Sequence, residues 1–163
     1  MNYSHLEDYV KNLYTSIGIN NPEQLNKNSI AVRLGITLYA FNGTSEGVYS
    51  NGRQYIFLNR NLTRRGQWQE FGHELCHILR HAGNQKKMPR TFIDYQEWQA
   101  ENFALHFCIP TFMLMHLELP KDFYLAARMV RETFHVTYEF AEKRLDMWKR
   151  KEVFSTRYAM PIR

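Results

Sequence analysis

Apolar residues recur at helical spacing toward both ends of the chain, and between residues 36 and 58 the pattern shortens to extended runs. Leu6, Tyr9, Val10, Leu13, Tyr14 and Ile17 line one face of a helix predicted over residues 3–17. Asn21-Pro22 and Gly35 bracket a second helix, with proline just inside its start and glycine at its end. Three short extended runs follow at 36–41, 47–50 and 53–58, separated by Asn42-Gly43 and Asn51-Gly52. Asn-Gly is the strongest short hairpin signal, so these runs predict a small three-stranded antiparallel meander. A helix through residues 68–82, a loop over 83–93 and a helix with Asp94 as N-cap, Glu97 at the capping-box position and a stop before Pro110 come next. Helices over 111–117, 121–134 and 137–150 complete the pattern, and residues 153–163 have no usable period. The fold class predicted is α+β: the meander packed on a mostly helical domain over 1–118, a helical hairpin over 119–152 against the same domain, and a tail over 153–163.

The third predicted helix carries H-E-x-x-H, with His73 and His77 one turn apart on one face and Glu74 between them. Trp68, Phe71, Leu75, Ile78, Leu79 and Ala82 occupy the opposite side of the wheel, while Glu70 and His81 share the histidine side. Two imidazoles so placed can converge on zinc, which in catalytic sites takes three protein ligands and leaves a position for water. Glu74 is then placed to act as the base toward that water. The longer signature H-E-x-x-H-x-x-G-x-x-H is excluded, because Arg80 and Gly83 stand where it needs glycine and histidine. His81 rises about 12 Å along the helix from His73, too far to share one ion. The third ligand must come from another segment, and a carboxylate on the following helix would give a His₂Glu site. Glu97 and Glu101 lie on the same side of that helix, one turn apart, with Ala100, Ala104 and Cys108, whose small side chains permit close approach to the H-E-x-x-H helix. Periodicity alone does not choose between them. Ala100 and Ala104 leave a slim ridge beside Glu97, whereas Glu101 has Leu105 four residues on.

The run W-Q-E-F-G-H-E-L-C-H-I-L-R-H at 68–81, then E-x-x-A-x-x-F-A from Glu97 and C-I-P-T-F-M at 108–113, resembles the ImmA/IrrE family of zinc metallopeptidases. The chain is most similar to the small ImmA proteins of Gram-positive phages and integrative elements, and Y-I-F-L-N at 55–59 extends the resemblance over roughly 30–116. It implies a zincin-like domain holding Zn²⁺ on His73, His77 and Glu97, with Glu74 as base. Family members often have asparagine where this chain has Glu101; with Glu97 as the ligand, Glu101 is expected behind the ligands, accepting a hydrogen bond from a ligand histidine. The implied activity is a zinc endopeptidase that cuts a helix-turn-helix repressor at one site and so derepresses genes of a phage or mobile element. Its partners are a protein substrate and an activating protein. Zinc proteases hold substrates extended along a sheet edge, and residues 55–58 or the neighbouring run are the expected edge.

Composition constrains the rest. At 44% hydrophobic residues the chain can bury a real core. Charged residues near Met1 and the lack of an apolar run approaching about 18 residues point to a cytosolic protein with no membrane span. In that reducing setting Cys76 and Cys108 read as small buried thiols. A net charge of +5 invites a nucleic-acid reading, but basic residues cluster only at Arg64-Arg65 and Lys149-Arg150-Lys151, as solvated helix ends do. The rival function is DNA binding through residues 126–145, which have helix-turn-helix spacing with Thr137 capping the second helix. That helix opens Tyr138-Glu139-Phe140, where base reading needs Arg, Lys, Asn or Gln, so direct nucleic-acid binding is not expected.

Overall fold

The computed structural model describes residues 3–81 and 88–158, with side chains described as far as Lys151. Residues 83–87 of the expected loop 83–93, the Ala82 end of the H-E-x-x-H helix and the last five residues of the expected tail lie outside the described residues. Among those described, the order is α1 (His5–Ser16), a 3₁₀ turn (Pro22–Gln24), α2 (Lys27–Arg33), β1 (Ile36–Phe41), β2 (Glu46–Ser50), β3 (Arg53–Asn59), α3 (Arg64–Arg80), α4 (Arg90–Cys108), α5 (Thr111–Leu114), α6 (Phe123–Phe134) and α7 (Tyr138–Tyr158). The fold is a mixed α+β arrangement with a small three-stranded sheet.

The sheet departs from the expected meander. Its order is β1-β3-β2, with β1 parallel to β3 and β2 antiparallel to it. The two Asn-Gly pairs behave differently. Asn51 and Gly52 both take positive φ, 50° and 74°, and close a two-residue hairpin between β2 and β3. Gly43 has no positive φ, so no such hairpin forms there. The chain instead passes to the far side of β3, where the Ser45 hydroxyl accepts the Asn59 N–H at 3.1 Å. Placing β3 in the centre buries Ile56 and Leu58 against the helices, together with Ile36 of β1. The other face stays outside and stacks Tyr39 on Phe57 at 5.4 Å.

Two further boundaries differ. The expected second helix divides at Leu25, because Asn26 accepts the N–H groups of Asn28 and Ser29 and starts α2 afresh. Asp94 is not a cap: α4 begins four residues earlier, after Pro89, whose fixed φ suits a helix entrance.

The α3–α4 pair is the centre of the molecule. Trp68, Phe71 and Leu75 of α3 meet Ala100, Phe103 and Phe107 of α4 in the core. Gly72 makes the approach possible, since a Cβ there would lie 3.1 Å from both Cys108 Sγ and the Phe107 ring. The α6–α7 hairpin is tied to the N-terminal half of α3. Arg65 donates to the carbonyls of Arg131 at 3.0 Å and Val136 at 2.7 Å, and the Thr137 N–H donates to Gln69 Oε1 at 2.7 Å. A buried polar chain joins the first and last helices: Arg144 donates to the Ile109 carbonyl and Thr111, Thr111 donates to Glu7, and Lys151 pairs with Glu7. Among the described residues no helix is long and apolar enough to cross a membrane.

Candidate metal centre

α3 is capped by Thr63, whose hydroxyl accepts the Gly66 N–H, and its buried stripe turns the other face toward α4. That leaves His73 and His77 half-buried at the helix crossing, facing the N-terminal part of α4. Glu97 meets them there. His73 Nε2 lies 3.1 Å from Glu97 Oε2, His77 Nε2 lies 3.4 Å from Glu97 Oε1, and the two Nε2 atoms are 3.2 Å apart. One ligand atom from each of the three can be chosen so that all lie within 4.8 Å of one another, and among the described residues this is the one such cluster. Two imidazole nitrogens and a carboxylate with a solvent-facing side are the donor set and openness that a catalytic divalent metal requires. Burial first of all, with the neighbouring histidines adding to it and Glu97 opposing, holds His77 down to about 4, so the neutral, metal-ready form prevails near neutral pH.

Glu101 lies elsewhere, with its carboxylate 3.6 Å from Lys143 Nζ of α7. The place expected for it behind the histidines is taken by His81, whose Nδ1 is 2.9 Å from His77 Nδ1 and whose Nε2 is 3.1 Å from Gln99 Oε1. The thiols are out of the chemistry. Burial pushes Cys76 up to about 12 and Cys108 well above the ordinary range, and both are free and buried.

Glu74 contacts the sheet. Its Oε2 accepts the Gly47 N–H of β2 at 2.7 Å, and burial raises its carboxyl to about 7, against the opposing pull of His73 and of that N–H. Gly47 is the residue that sequence reasoning missed. A Cβ at this position would stand 3.0 Å from the Glu74 carbonyl oxygen and 3.1 Å from Ile78, so β2 reaches α3 this closely only with glycine. A glycine opening an extended run was the available signal for such an approach. The strand order bears on the expected substrate edge, residues 55–58 or the neighbouring run. Residues 55–58 belong to β3, which is paired on both sides, whereas its neighbour β2 lies at the rim of the sheet.

Known proteins place these features in context. Residues 31–146 match a peptidase family model, the IrrE N-terminal-like domain. The chain is 46% identical over 149 residues to the phage-like element PBSX protein XkdA of Bacillus subtilis strain 168, covering 91% of this chain and 75% of that protein. It is 45% identical over 148 residues to the uncharacterized protein YqaB of the same strain, covering 91% and 86%. Among solved structures, a Mycobacterium tuberculosis transcriptional regulator shares the fold with a TM-score of 0.60 at 14% identity. The match takes in 85% of this chain and 46% of that one, so the chain spans under half the length of that protein.

Proposed function

The chain belongs to the IrrE N-terminal-like family of peptidases, and from that premise we propose that it is a zinc endopeptidase acting on a protein substrate, a helix-turn-helix repressor of a phage or mobile element. The observation that carries this reading is the convergence of His73, His77 and Glu97 beside a base candidate, Glu74, held by the rim of a sheet. The three converging residues are the proposed metal ligands. Zinc bound there supplies a Lewis acid for the scissile carbonyl and lowers the pKa of water.

The chain's own groups do the rest. Glu74 takes the proton of the attacking water on its carboxylate and delivers it to the leaving amine nitrogen, so the peptide bond breaks with no net proton change at the enzyme. The Gly47 N–H holds that carboxylate in place while it is ionised. β2 offers its free side to an extended segment of substrate, which would bind through backbone hydrogen bonds.

The phage-element name of the XkdA relative supports placing the substrate among regulators of such an element. Cytosolic action and an activating partner belong to the same reading. DNA binding is not favoured: the turn of the α6–α7 hairpin is packed on α3 through Arg65 and Gln69, and Tyr138 at the start of α7 lies against Tyr124. The test is cleavage of a purified helix-turn-helix repressor from the same phage or mobile element by purified protein, with Glu74→Gln and chelator-treated protein as controls. Loss of about 10²–10⁴-fold in Glu74→Gln with zinc still bound is the expected result. Cleavage at the wild-type rate by that variant would remove Glu74 from the reaction.

A further inference from the structure

We propose that His81, Gln99 and Tyr95 form a directed hydrogen-bond relay that orients His77 as a metal ligand, with His81 as the positioning residue. The inference rests on the metal reading of His73, His77 and Glu97 and adds residues that the H-E-x-x-H motif does not contain.

The direction of the relay follows from proton counting. His77 presents Nε2 to His73 and Glu97, so a metal at the cluster is bound through that atom. A neutral imidazole that ligates through Nε2 carries its proton on Nδ1, and that proton needs an acceptor. His77 Nδ1 lies 2.9 Å from His81 Nδ1, which accepts only in the tautomer protonated on Nε2. His81 Nε2–H then donates to Gln99 Oε1 at 3.1 Å. With its oxygen so engaged, Gln99 donates through Nε2 to the Tyr95 hydroxyl at 3.1 Å. Each group has one role consistent with the next, and reversing any link leaves two donors or two acceptors facing each other.

The geometry has a structural origin. His81 is the C-cap of α3, with φ −109° and ψ 120°, while His77 lies one turn earlier inside the helix. Leaving the helix at this residue swings the His81 ring across the α3–α4 crossing to Gln99, which stands one turn along α4 from Tyr95. The relay therefore links the last turn of the metal helix to the segment of α4 that carries Glu97. It fixes the orientation of one ligand ring relative to the helix supplying the carboxylate.

The experiment is zinc affinity by chelator competition on the full chain, with the thermal midpoint of the metal-free proteins as a control for folding. His81→Phe keeps the bulk of the ring and removes the acceptor, and a loss of about 10–100-fold in zinc affinity is expected. His81→Asn places Oδ1 where Nδ1 stands and should restore most of that affinity. Gln99→Leu leaves His81 in place without its own acceptor and should give a smaller loss of the same sign. A role in packing alone does not separate phenylalanine from asparagine in this order. Wild-type affinity in His81→Phe, or equal loss in His81→Phe and His81→Asn, overturns the relay while the three-ligand reading stands. Failure of the wild-type chain to bind zinc, or retention of zinc by His77→Ala, overturns the reading beneath it.

Discussion

Replacing Gly47 by alanine adds one methyl group at the point where the sheet touches the metal helix. The new Cβ would stand 3.0 Å from the Glu74 carbonyl oxygen and 3.1 and 3.3 Å from two carbons of Ile78, so β2 and α3 must separate by a few tenths of an ångström. The carbonyl belongs to helix backbone and cannot rotate aside; the strand has to move. Overpacking of this kind costs about 1–3 kcal/mol. The same movement stretches the 2.7 Å bond from the Gly47 N–H to Glu74, which orients the proposed base. A misplacement of 1 Å can cost about 10²-fold in rate, so a shift of a third of that distance should lower kcat roughly 5–10-fold. His73, His77 and Glu97 lie on α3 and α4, and zinc content should stay at the wild-type level. The assay is kcat and KM on the cleaved repressor, with metal analysis and a thermal melt on the same preparation. Wild-type kcat accompanied by a lowered melting temperature would show that the strand does not position Glu74.

Other expectations are independent of that contact. Glu97→Ala should lower zinc stoichiometry and activity together, whereas Glu101→Gln, which only releases Lys143, should leave zinc bound; the reverse pattern in metal analysis moves the ligand to Glu101. Gly72→Ala should destabilise by about 1–2 kcal/mol through contacts with Cys108 and Phe107, although helix propensity alone favours alanine by about 0.5–1 kcal/mol, so a raised melting temperature refutes the packing argument. Burial by itself pushes the Glu7 carboxyl up, but Lys151, the Ser4 N–H and hydroxyl and Thr111 pull it down to about 2 from 4.5. Its folded value is depressed, so ionised Glu7 stabilises above pH 4.5, by about 2–3 kcal/mol, and this is lost as pH falls through 2. Glu7→Gln should accordingly be less stable at pH 6 by that amount, with the gap to wild type closing toward pH 2 in denaturant melts; a gap independent of pH contradicts the ionic origin.

The helices carrying the candidate site were legible because their signals are local. The apolar stripe of Trp68, Phe71 and Leu75 opposite His73 and His77 is a property of one helix, and the structure buries that stripe. The neighbours of Glu97 favoured it over Glu101 for a related reason: Ala100 and Ala104 mark where α4 comes close to α3, and both are buried there. What escaped depends on partners distant in the chain. Nothing at Asn42-Gly43 reveals that β1 will pair parallel with β3, since a two-residue turn signal describes only its own dihedrals. Asp94 resembles a cap because Asx residues favour helix starts, yet Pro89 already provides one. His81 sits on the histidine stripe, but its contact with Gln99 depends on where α3 ends and how α4 crosses it.

The proposed ligands His73 and Glu97 are 24 residues apart in sequence, and the intervening chain leaves one helix and enters the next. An ion gripping both ends is a reversible cross-link across a loop of that length. Closing such a loop costs the unfolded chain about 3 kcal/mol of entropy. A bound ion holds the helices together as a staple would, and because it recognises only the folded arrangement, free metal at a thousand times Kd adds about 4 kcal/mol to stability. Withdrawing such a metal would therefore do more than silence a reaction: it would loosen the central helix pair on which the sheet and the C-terminal hairpin are mounted.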